Sequence, residues 1–288
     1  MSIRSDDHSP LTKKRTTDTC LPLMKWAGGK RRLLPFILPY IHQTGGRYFE
    51  PFVGGGAVFF AVDAKRAVIG DANPDVTNCY EQVKTNLDVL IARLSAFKNS
   101  ERDYYRIREW EPSGSLDRAA RMLYLTRFSF NGIYRQNQEG KFNVPYGYKT
   151  HLTVFDEQHL RRIGSKLKKA TIRLGDFAVT VADARAGDTV YFDPPYTVAH
   201  GNNGFVKYNA RIFSWEDQHR LADLAKKLIS KGCSVAVSNA DHSSIDELYS
   251  GFRKLRIARP SVIAASSQHR RVTSEALFVG RADAWLSL

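Results

Sequence analysis

Short apolar runs recur along this chain, and helical patterns lie between several of them. The runs occupy residues 47–52, 67–71, 171–174, 189–192 and 233–237, with two late runs at 254–257 and 276–279. The clearest helix is 214–231, where Ser214 and Asp217 fit a capping box and Gly232 follows as a C-cap. Alternation of strand and helix favours a mostly parallel α/β sheet, and the two late runs predict an antiparallel hairpin.

This alternation stops between residues 73 and 153, where no strand pattern is evident. Helical patterns cover 75–97, 102–110 and 116–129, and many basic and aromatic residues lie among them. Glycine and asparagine then cluster at Asn131-Gly132 and again around 140–147. We therefore expect a helical insertion that carries an exposed polar loop.

The charge of the chain favours a polyanionic partner. Its 43 Lys and Arg residues exceed its 29 Asp and Glu residues, which gives a net charge of +14. Such an excess can neutralise phosphates and release their counterions, although a basic protein without a nucleic-acid partner is the alternative. The content of 43% hydrophobic and 11% aromatic residues predicts a globular chain, because a disordered chain would hold fewer of both.

The cysteines and the apolar runs limit the remaining classes. Cys20, Cys79 and Cys233 have no CxxC spacing, so the sequence indicates neither a zinc site nor a redox dithiol, and their odd number fits a reducing compartment. No apolar run approaches the ~20 residues that cross a bilayer, and the polar N-terminus lacks the apolar core of a signal peptide. We expect a soluble, cytoplasmic, monomeric protein without a metal.

A glycine-rich turn follows the first apolar run. Phe52 precedes Gly54-Gly55-Gly56, and glycines allow a tight turn and a close approach to a ligand, so we expect a helix to begin there. Asp71 ends the next run, where its carboxylate can accept hydrogen bonds from ribose hydroxyls. A structural turn with a capping aspartate is the alternative. No Lys-Ser or Lys-Thr follows, which excludes a P-loop.

The tetrapeptide Asp193-Pro194-Pro195-Tyr196 follows four strand-forming residues. It therefore stands at the carboxyl end of a strand, where open α/β sheets bind ligands. Asp193 and the Pro194 carbonyl can each accept a hydrogen from an exocyclic amine, and Tyr196 can stack on a base. A rigid surface turn is the alternative, and the glycine turn upstream favours a functional site.

Two further segments combine glycine with basic and aromatic residues. In 23–30, Trp26 can pack on an adenine or a sulfonium and Lys30 can bind a carboxylate, but a surface loop with a buried tryptophan has the same pattern. In 130–147, Arg135 can contact a guanine edge, and Phe130 or Ile133 can fill the gap left by a flipped base. A hairpin loop with ordinary packing aromatics is the alternative there.

Taken in order, the four segments resemble the Dam-type DNA adenine methyltransferases, and the resemblance covers nearly the whole chain after residue 20. It implies a Rossmann-like, seven-stranded α/β sheet that binds S-adenosylmethionine, with a helical target-recognition insertion. It also implies methylation of the amine of a flipped adenine in double-stranded DNA, within GATC. We accordingly divide the chain into a flexible tail at 1–20, a catalytic domain at 21–73 and 154–288, and the insertion at 74–153.

The resemblance also assigns residues to roles. The implied catalytic residues are Asp193, Pro194 and Tyr196. The implied cofactor-binding residues are Trp26, Lys30, Phe52, Gly54, Asp71, Asp176 and Phe177. The implied DNA-binding residues are Lys25, Arg127, Phe130, Asn131, Ile133, Arg135, Asn137 and Pro145. Among these, Lys25, Arg135 and Pro145 match positions that contact the bases of GATC in this family.

Two departures and three rival activities accompany the resemblance. Phe130 stands where the family often has tyrosine, and 266–271 keeps a basic loop without the usual residues, for which we expect phosphate contacts. Methylation of cytosine N4 uses a similar loop, but the first residue of that loop is more often serine, which counts against this rival because Asp193 stands there. Methylation of RNA or of a protein glutamine is a second rival, and a DNA-binding regulator without activity is a third. The large basic insertion disfavours the protein substrate, and the intact tetrapeptide disfavours the inactive regulator.

Overall fold

The computed structural model describes residues 21–41, 45–137, 139–198, 213–259 and 273–281. The tail predicted at 1–20 and the basic loop at 266–271 lie outside these ranges. Within them the strands are β1 (Tyr48–Glu50), β2 (Ala67–Asp71), β3 (Ala170–Leu174), β4 (Thr189–Phe192), β5 (Ser234–Ala240), β6 (Arg253–Arg259) and β7 (Thr273–Gly280).

These strands form one sheet in the order β3-β2-β1-β4-β5-β7-β6. Every neighbouring pair is parallel except the two pairs that include β7. The predicted Rossmann-like sheet and the predicted late hairpin are therefore confirmed, and β6 and β7 extend beyond the predicted runs. Strand β1 is shorter than predicted and ends at Glu50, because Pro51 has no N–H with which to continue the ladder.

Helix α1 precedes β1, and the other described helices lie between the strands. They are α1 (Leu34–Ile37), α2 (Pro74–Thr85), α3 (Leu87–Ser95), α4 (Glu101–Glu109), α5 (Ser115–Phe128), α6 (Glu157–Leu167), α7 (Phe177–Thr180), α8 (Trp215–Ser230) and α9 (Ser243–Leu248). Helix α8 begins with the predicted capping box of Ser214 and Asp217 and is followed by Gly232 at a φ of 90°. The sequence patterns did not predict α1, α6, α7 or α9.

The helix predicted at 75–97 is two helices, α2 and α3. They meet at Asn86, whose backbone has φ −129° and ψ 32°. The Asn86 side-chain amide donates to Gln82 Oε1 at 2.8 Å, and its backbone N–H donates to the Gln82 carbonyl. The apolar pattern thus continues through Asn86, but the backbone angles of this residue interrupt the helix.

The helix predicted after the glycine turn is absent, and residues 57–62 form turns instead. Two helical hydrogen bonds form there, from Phe60 N to the Gly56 carbonyl and from Val62 N to the Val58 carbonyl, but they are not consecutive. Lys166 of α6 donates to the carbonyls of Phe60 and Val62 at 2.9 and 2.6 Å. A contact from a distant helix therefore satisfies carbonyls that a longer helix would have bonded internally.

Both faces of the sheet are covered by helices. Alternate residues of β1 divide between two apolar clusters: Tyr48 lies in one and Phe49 in the other. Helices α2 to α6 supply a large share of the first cluster, and α8 and α9 supply part of the second. Helices of the segment 74–153 thus share one core with the sheet, and α2 packs against both β2 and β3. The division into a catalytic domain and an insertion stays a prediction.

Candidate active site

The candidate site lies at the carboxyl ends of three adjacent parallel strands. Strand β1 leads into the glycine turn, β2 ends at Asp71, and β4 is followed by Asp193. The chain builds the sheet outward on one side through β2 and β3, and on the other side through β4 and β5. The order therefore reverses between β1 and β4, which is where open α/β sheets form a ligand crevice.

The glycine turn is held closely by its neighbours. Gly54 has a φ of 45°, and its N–H donates to Asp71 Oδ2 at 3.0 Å. The buried hydroxyl of Tyr80 donates to the Gly54 carbonyl at 2.9 Å. A Cβ on Gly54 would lie 2.6 Å from Cδ1 of Trp26. The turn thus needs glycine for its backbone angle and for the approach of the Trp26 ring.

Asp71 joins the ends of β1 and β2. Its Oδ2 accepts from Gly54, and its Oδ1 accepts from the Asn73 N–H at 2.9 Å. Burial raises the pKa of Asp71 to about 6, although the backbone donors act in the opposite direction. A partly buried carboxylate that already organises the turn is well placed to accept further hydrogen bonds from a ligand on this edge.

Phe52 lies in an aromatic cluster next to the turn. Its ring stacks on Phe177 with centroids 5.6 Å apart, and it meets Phe192 and Phe213 edge-on at 6.4 and 5.6 Å. The structure therefore brings together Phe52 and Phe177, which are distant in the sequence and share one predicted role. Their contact forms an apolar wall beside the glycine turn.

Asp176 begins the short helix α7, at the edge of this wall. Its side chain accepts from the Ala178 N–H at 3.0 Å and from Arg220 at 3.1 Å. The Arg220 guanidinium also lies over the Phe177 ring, 5.0 Å from its centroid. Asp176 is thus a helix cap whose carboxylate is partly exposed and already paired with a cation.

Side chains of α8 and β5 hold the loop after β4 in place. The Pro195 carbonyl accepts from the Gln218 side chain at 3.3 Å, and Gln218 Oε1 accepts from the buried amide of Asn239 at 2.9 Å. These two residues come from α8 and β5, which flank the loop. The loop that carries Asp193 is therefore fixed by side-chain hydrogen bonds as well as by its two prolines.

Lys30 and Glu275 meet the tetrapeptide in a buried group of charges. The Lys30 ammonium lies 2.8 Å from Asp193 Oδ1 and 3.6 Å from Glu275 Oε2, and it donates to the Gly28 carbonyl at 2.8 Å. The Tyr196 hydroxyl donates to the same Glu275 oxygen at 2.8 Å. Lys30 also lies 4.9 Å from the centroid of the Tyr196 ring. The predicted contact of Lys30 with the cofactor stays a prediction.

A second buried carboxyl, Glu50, stands at the end of β1. Tyr48 donates to its Oε2 at 2.6 Å. Burial raises the pKa of Glu50 to about 8, against the Tyr48 hydrogen bond, and the charge of Asp193 raises it further. Glu50 is therefore mostly protonated at neutral pH, which limits the repulsion that Asp193 meets from this side.

The segment that contains Trp26 also contacts the predicted recognition loop. The Trp26 ring stacks on Tyr134 with centroids 5.0 Å apart. The stem of Lys25 covers Gly132, where an added Cβ would lie 2.2 Å from Lys25 Cδ. Through these contacts the loop at 130–135 is fixed beside the segment whose Lys30 reaches Asp193. The structure thus connects the predicted DNA-binding residues to the tetrapeptide.

The tip of this loop presents apolar side chains to solvent. Phe130 is 54% exposed and Ile133 is 39% exposed, although both are apolar. Asn131 between them has a φ of 53°, an angle that asparagine tolerates better than most residues. The Phe130 N–H donates to the Pro145 carbonyl at 2.8 Å, which closes the loop. Exposed apolar residues on a closed loop are suited to inserting into a partner.

The polar residues of the loop differ in their availability. Arg135 is exposed and donates from Nε to Asn143 Oδ1 at 2.8 Å, which orients its guanidinium. The Asn137 side chain accepts from two backbone N–H groups and so stabilises a turn. Arg127 is half-buried and donates to the Thr153 carbonyl at 2.6 Å. Arg135 is therefore the best placed of these three for a base contact.

Sequence reasoning missed several residues of this site. Glu275 is a charged residue immediately before the apolar run 276–279, and that contrast was the available signal. Gln218 had no signal beyond its place in an amphipathic helix. Lys149 donates to the carbonyls of Arg127 and Ser129, and burial lowers its pKa to about 8, with the charges of Lys25 and Arg127 adding to that effect. Positive charge is thus concentrated at the base of the loop.

Within the described ranges, no group of three or more His, Cys, Asp or Glu side chains is arranged to hold a metal ion. No helix in these parts of the chain has the length and apolarity that a bilayer crossing needs.

The comparisons with known proteins agree with this geometry. A family model described as D12 class N6 adenine-specific DNA methyltransferase matches residues 26–263. The chain is 39% identical over 264 residues to Type II methyltransferase M1.LlaDCHI of Lactococcus lactis, covering 88% of this chain and 93% of that protein. It is 34% identical over 274 residues to Type II methyltransferase M.MjaIII of Methanocaldococcus jannaschii, covering 87% and 95%. It is 36% identical over 249 residues to a DNA adenine methylase of Haemophilus influenzae, covering 83% and 86%.

Proposed function

The chain belongs to the D12 class of N6 adenine-specific DNA methyltransferases, and we propose that it methylates a flipped adenine in GATC with S-adenosylmethionine as donor. One observation supports this proposal above the others. The tetrapeptide that begins at Asp193 lies at the carboxyl end of β4, beside the reversal of strand order, with the Gly54–Asp71 turn on the neighbouring strands. An amine-binding loop and a nucleoside-binding turn therefore face one crevice.

The residues on this edge fit the cofactor. Asp71 would accept hydrogen bonds from the ribose, and the turn at Gly54 lets the backbone approach it closely. Phe52 and Phe177 supply an apolar wall for the adenine, and Asp176 lies beside that wall as a polar group. Trp26 and Lys30 complete the set from the N-terminal segment. When bound, the cofactor supplies a methyl group activated by a sulfonium.

The tetrapeptide orients the target amine. Asp193 and the Pro194 carbonyl accept its two hydrogens, and the Tyr196 ring stacks on the base. Both acceptors draw the amine out of conjugation with its ring, so the nitrogen lone pair becomes available for attack. The methyl group then passes directly to nitrogen, without a covalent bond to the enzyme. Catalysis comes from orientation and from polarisation of the amine.

The loop at 130–147 delivers the base. Phe130 and Ile133 would enter the base stack as the adenine leaves it, which accounts for their exposure. Lys25, Arg135 and Pro145 would contact base edges. Arg127, Asn131 and Asn137 would shape the loop and lie beside the DNA backbone. The relatives named DNA adenine methylase support adenine over cytosine, and we propose that the protein acts as a monomer on cytoplasmic DNA.

Sequencing of modified bases tests this function. The protein and its Asp193→Ala variant would be expressed in cells that lack adenine methylation, and the genomic DNA would be sequenced for modified bases. We expect N6-methyladenine at GATC with the wild type and none with the variant. Methylated adenine at other sites would contradict GATC alone, whereas N4-methylcytosine or unmodified DNA would contradict the activity itself.

A further inference from the structure

Glu275 contacts Tyr196 of the tetrapeptide directly and is connected to Asp193 through Lys30. It lies on the antiparallel strand β7, opposite Ala240 of β5 and Ile257 of β6. Its Oε2 accepts from the Tyr196 hydroxyl at 2.8 Å, and the same oxygen faces the Lys30 ammonium at 3.6 Å. Lys30 in turn lies 2.8 Å from Asp193. One carboxylate therefore connects the stacking ring with the amine acceptor.

The charged side chains that Glu275 joins are largely buried, so solvent screens their interactions little. The Lys30, Asp193 and Glu275 side chains are 3%, 19% and 8% exposed. In ionised form the three groups carry one net negative charge. Removal of one partner from such a buried group leaves its neighbours unbalanced, which costs far more than removal of an exposed charge. Burial and the carboxylates of Asp193 and Glu275 also raise the pKa of Tyr196 well above its ordinary value, so its neutral hydroxyl is the donor.

We propose that Glu275 is a positioning residue for methyl transfer, which holds Tyr196 directly and Asp193 through Lys30. This inference rests on the proposed function and adds a residue to it. In the transfer the nitrogen forms a bond to the methyl carbon, sulfur keeps the electron pair of the bond that breaks, and one proton then leaves the nitrogen for the Asp193 carboxylate. Positive charge thus moves towards the tetrapeptide, where a net negative group stabilises it.

The arrangement also explains why the lysine is buried. Its ammonium donates to the Gly28 carbonyl, pairs with Asp193 at 2.8 Å and faces Glu275 at 3.6 Å as a longer ion pair. With both carboxylates on one ammonium, Asp193 is kept in one orientation while the amine approaches. Without Glu275 the pair of Lys30 and Asp193 would be neutral, so the Asp193 oxygens would accept hydrogens from the amine less strongly.

The test compares Glu275→Gln, Lys30→Met and the double variant with the wild type. Single-turnover methylation of a GATC duplex would be measured at saturating S-adenosylmethionine, with binding of S-adenosylhomocysteine by calorimetry and of the duplex by anisotropy. Glu275→Gln should lower the turnover rate about tenfold or more with both dissociation constants within about threefold, because the lost effect acts on orientation rather than on binding. Ser274→Ala, the adjacent exposed residue whose side chain points to the other face, is the matched control and should leave the rate unchanged.

The double variant supplies the sharper outcome. Lys30→Met leaves two carboxylates together and should lower the rate about 100-fold. The double variant restores the wild-type net charge of the group and should be about tenfold faster than Lys30→Met. A double variant worse than either single variant, or a Glu275→Gln protein with the wild-type rate, would overturn the proposal. Equal losses of rate and of S-adenosylhomocysteine binding in Glu275→Gln would assign Glu275 to the cofactor site and also overturn the proposal.

Stability measurements separate this inference from the proposed function. The melting temperatures of the same four proteins need no substrate, and we expect the double variant to melt above Lys30→Met because it no longer holds two unpaired carboxylates close together. Independent, additive shifts would contradict the coupling even if Lys30→Met did not fold well enough for kinetics. A wild-type protein that methylates no duplex would instead refute the activity, whatever the melting temperatures show.

Discussion

The backbone N–H of Gly54 donates to Oδ2 of Asp71 at 3.0 Å, so the glycine turn after β1 is joined to the end of β2 by a single side chain. The same turn is covered by the Trp26 ring, and its carbonyl accepts from Tyr80. Three distant parts of the chain thus define the position of one peptide. Changes at this peptide should affect cofactor binding before they affect the rest of the fold.

Gly54→Ala should weaken binding of S-adenosylmethionine. The added Cβ would lie 2.6 Å from Trp26, and the residue would keep a φ of 45°, so the turn must shift. We expect an affinity loss of about tenfold or more by calorimetry, and a stability loss of about 1–3 kcal/mol by urea unfolding. Gly187→Ala is the matched control, because its φ is 83° but no atom lies within 4 Å of its added Cβ. Equal effects of the two substitutions would show that backbone strain alone is responsible.

Asp71 should make cofactor binding depend on pH. Its pKa is about 6 in the folded protein, above the ordinary 3.8, so its contribution to stability is fully present below pH 3.8 and is lost as pH rises through 6. Binding has the opposite slope, because the ionised carboxylate is the better acceptor for ribose hydroxyls. Calorimetry should show affinity rising with a midpoint near pH 6, and Asp71→Asn should remove that rise. A wild-type affinity that is flat through this range would contradict the ribose contact.

Asp193→Ala should abolish methyl transfer and leave binding largely intact. The side chain accepts from the target amine in our proposal, and its loss removes the group that orients the nitrogen. We expect a rate below about one thousandth of wild type in a single-turnover assay, with duplex and S-adenosylhomocysteine affinities within about tenfold. Near-normal activity would refute the assigned role.

Arg135→Ala should relax the choice of sequence. Its guanidinium is exposed and oriented by Asn143, and one bidentate contact to a base is worth about 1–3 kcal/mol of discrimination. The measurement is the ratio of methylation rates on GATC and on duplexes with one altered base pair. Lys141→Ala, which removes an exposed cation from the same loop, should leave that ratio unchanged. An equal loss on all duplexes would make Arg135 a phosphate contact.

Much of the fold follows from local patterns in the sequence. The seven apolar runs became the seven strands, because strand formation depends on short apolar stretches bounded by proline, glycine and polar residues. The capping box at Ser214 and the glycine at 232 bound the helix as predicted. The placement of Asp71 and Asp193 at carboxyl ends of parallel strands also needed only strand positions and their direction.

Other features were decided by contacts between distant segments. Lys166 bonds the carbonyls after the glycine turn, so the predicted helix there does not form. The helix predicted at 75–97, by contrast, is interrupted locally, at the non-helical backbone angles of Asn86.

The immediate surroundings of Asp193 show the same division. The sequence determined that a proline-stiffened loop would carry an aspartate and a tyrosine to the end of a buried strand. Only the tertiary structure showed that Lys30 and Glu275 meet them there, at 2.8 Å from Asp193 and from the Tyr196 hydroxyl respectively. A local pattern can specify backbone conformation. The partners of a buried charge are determined only when the sheet brings β4, β7 and the N-terminal segment together.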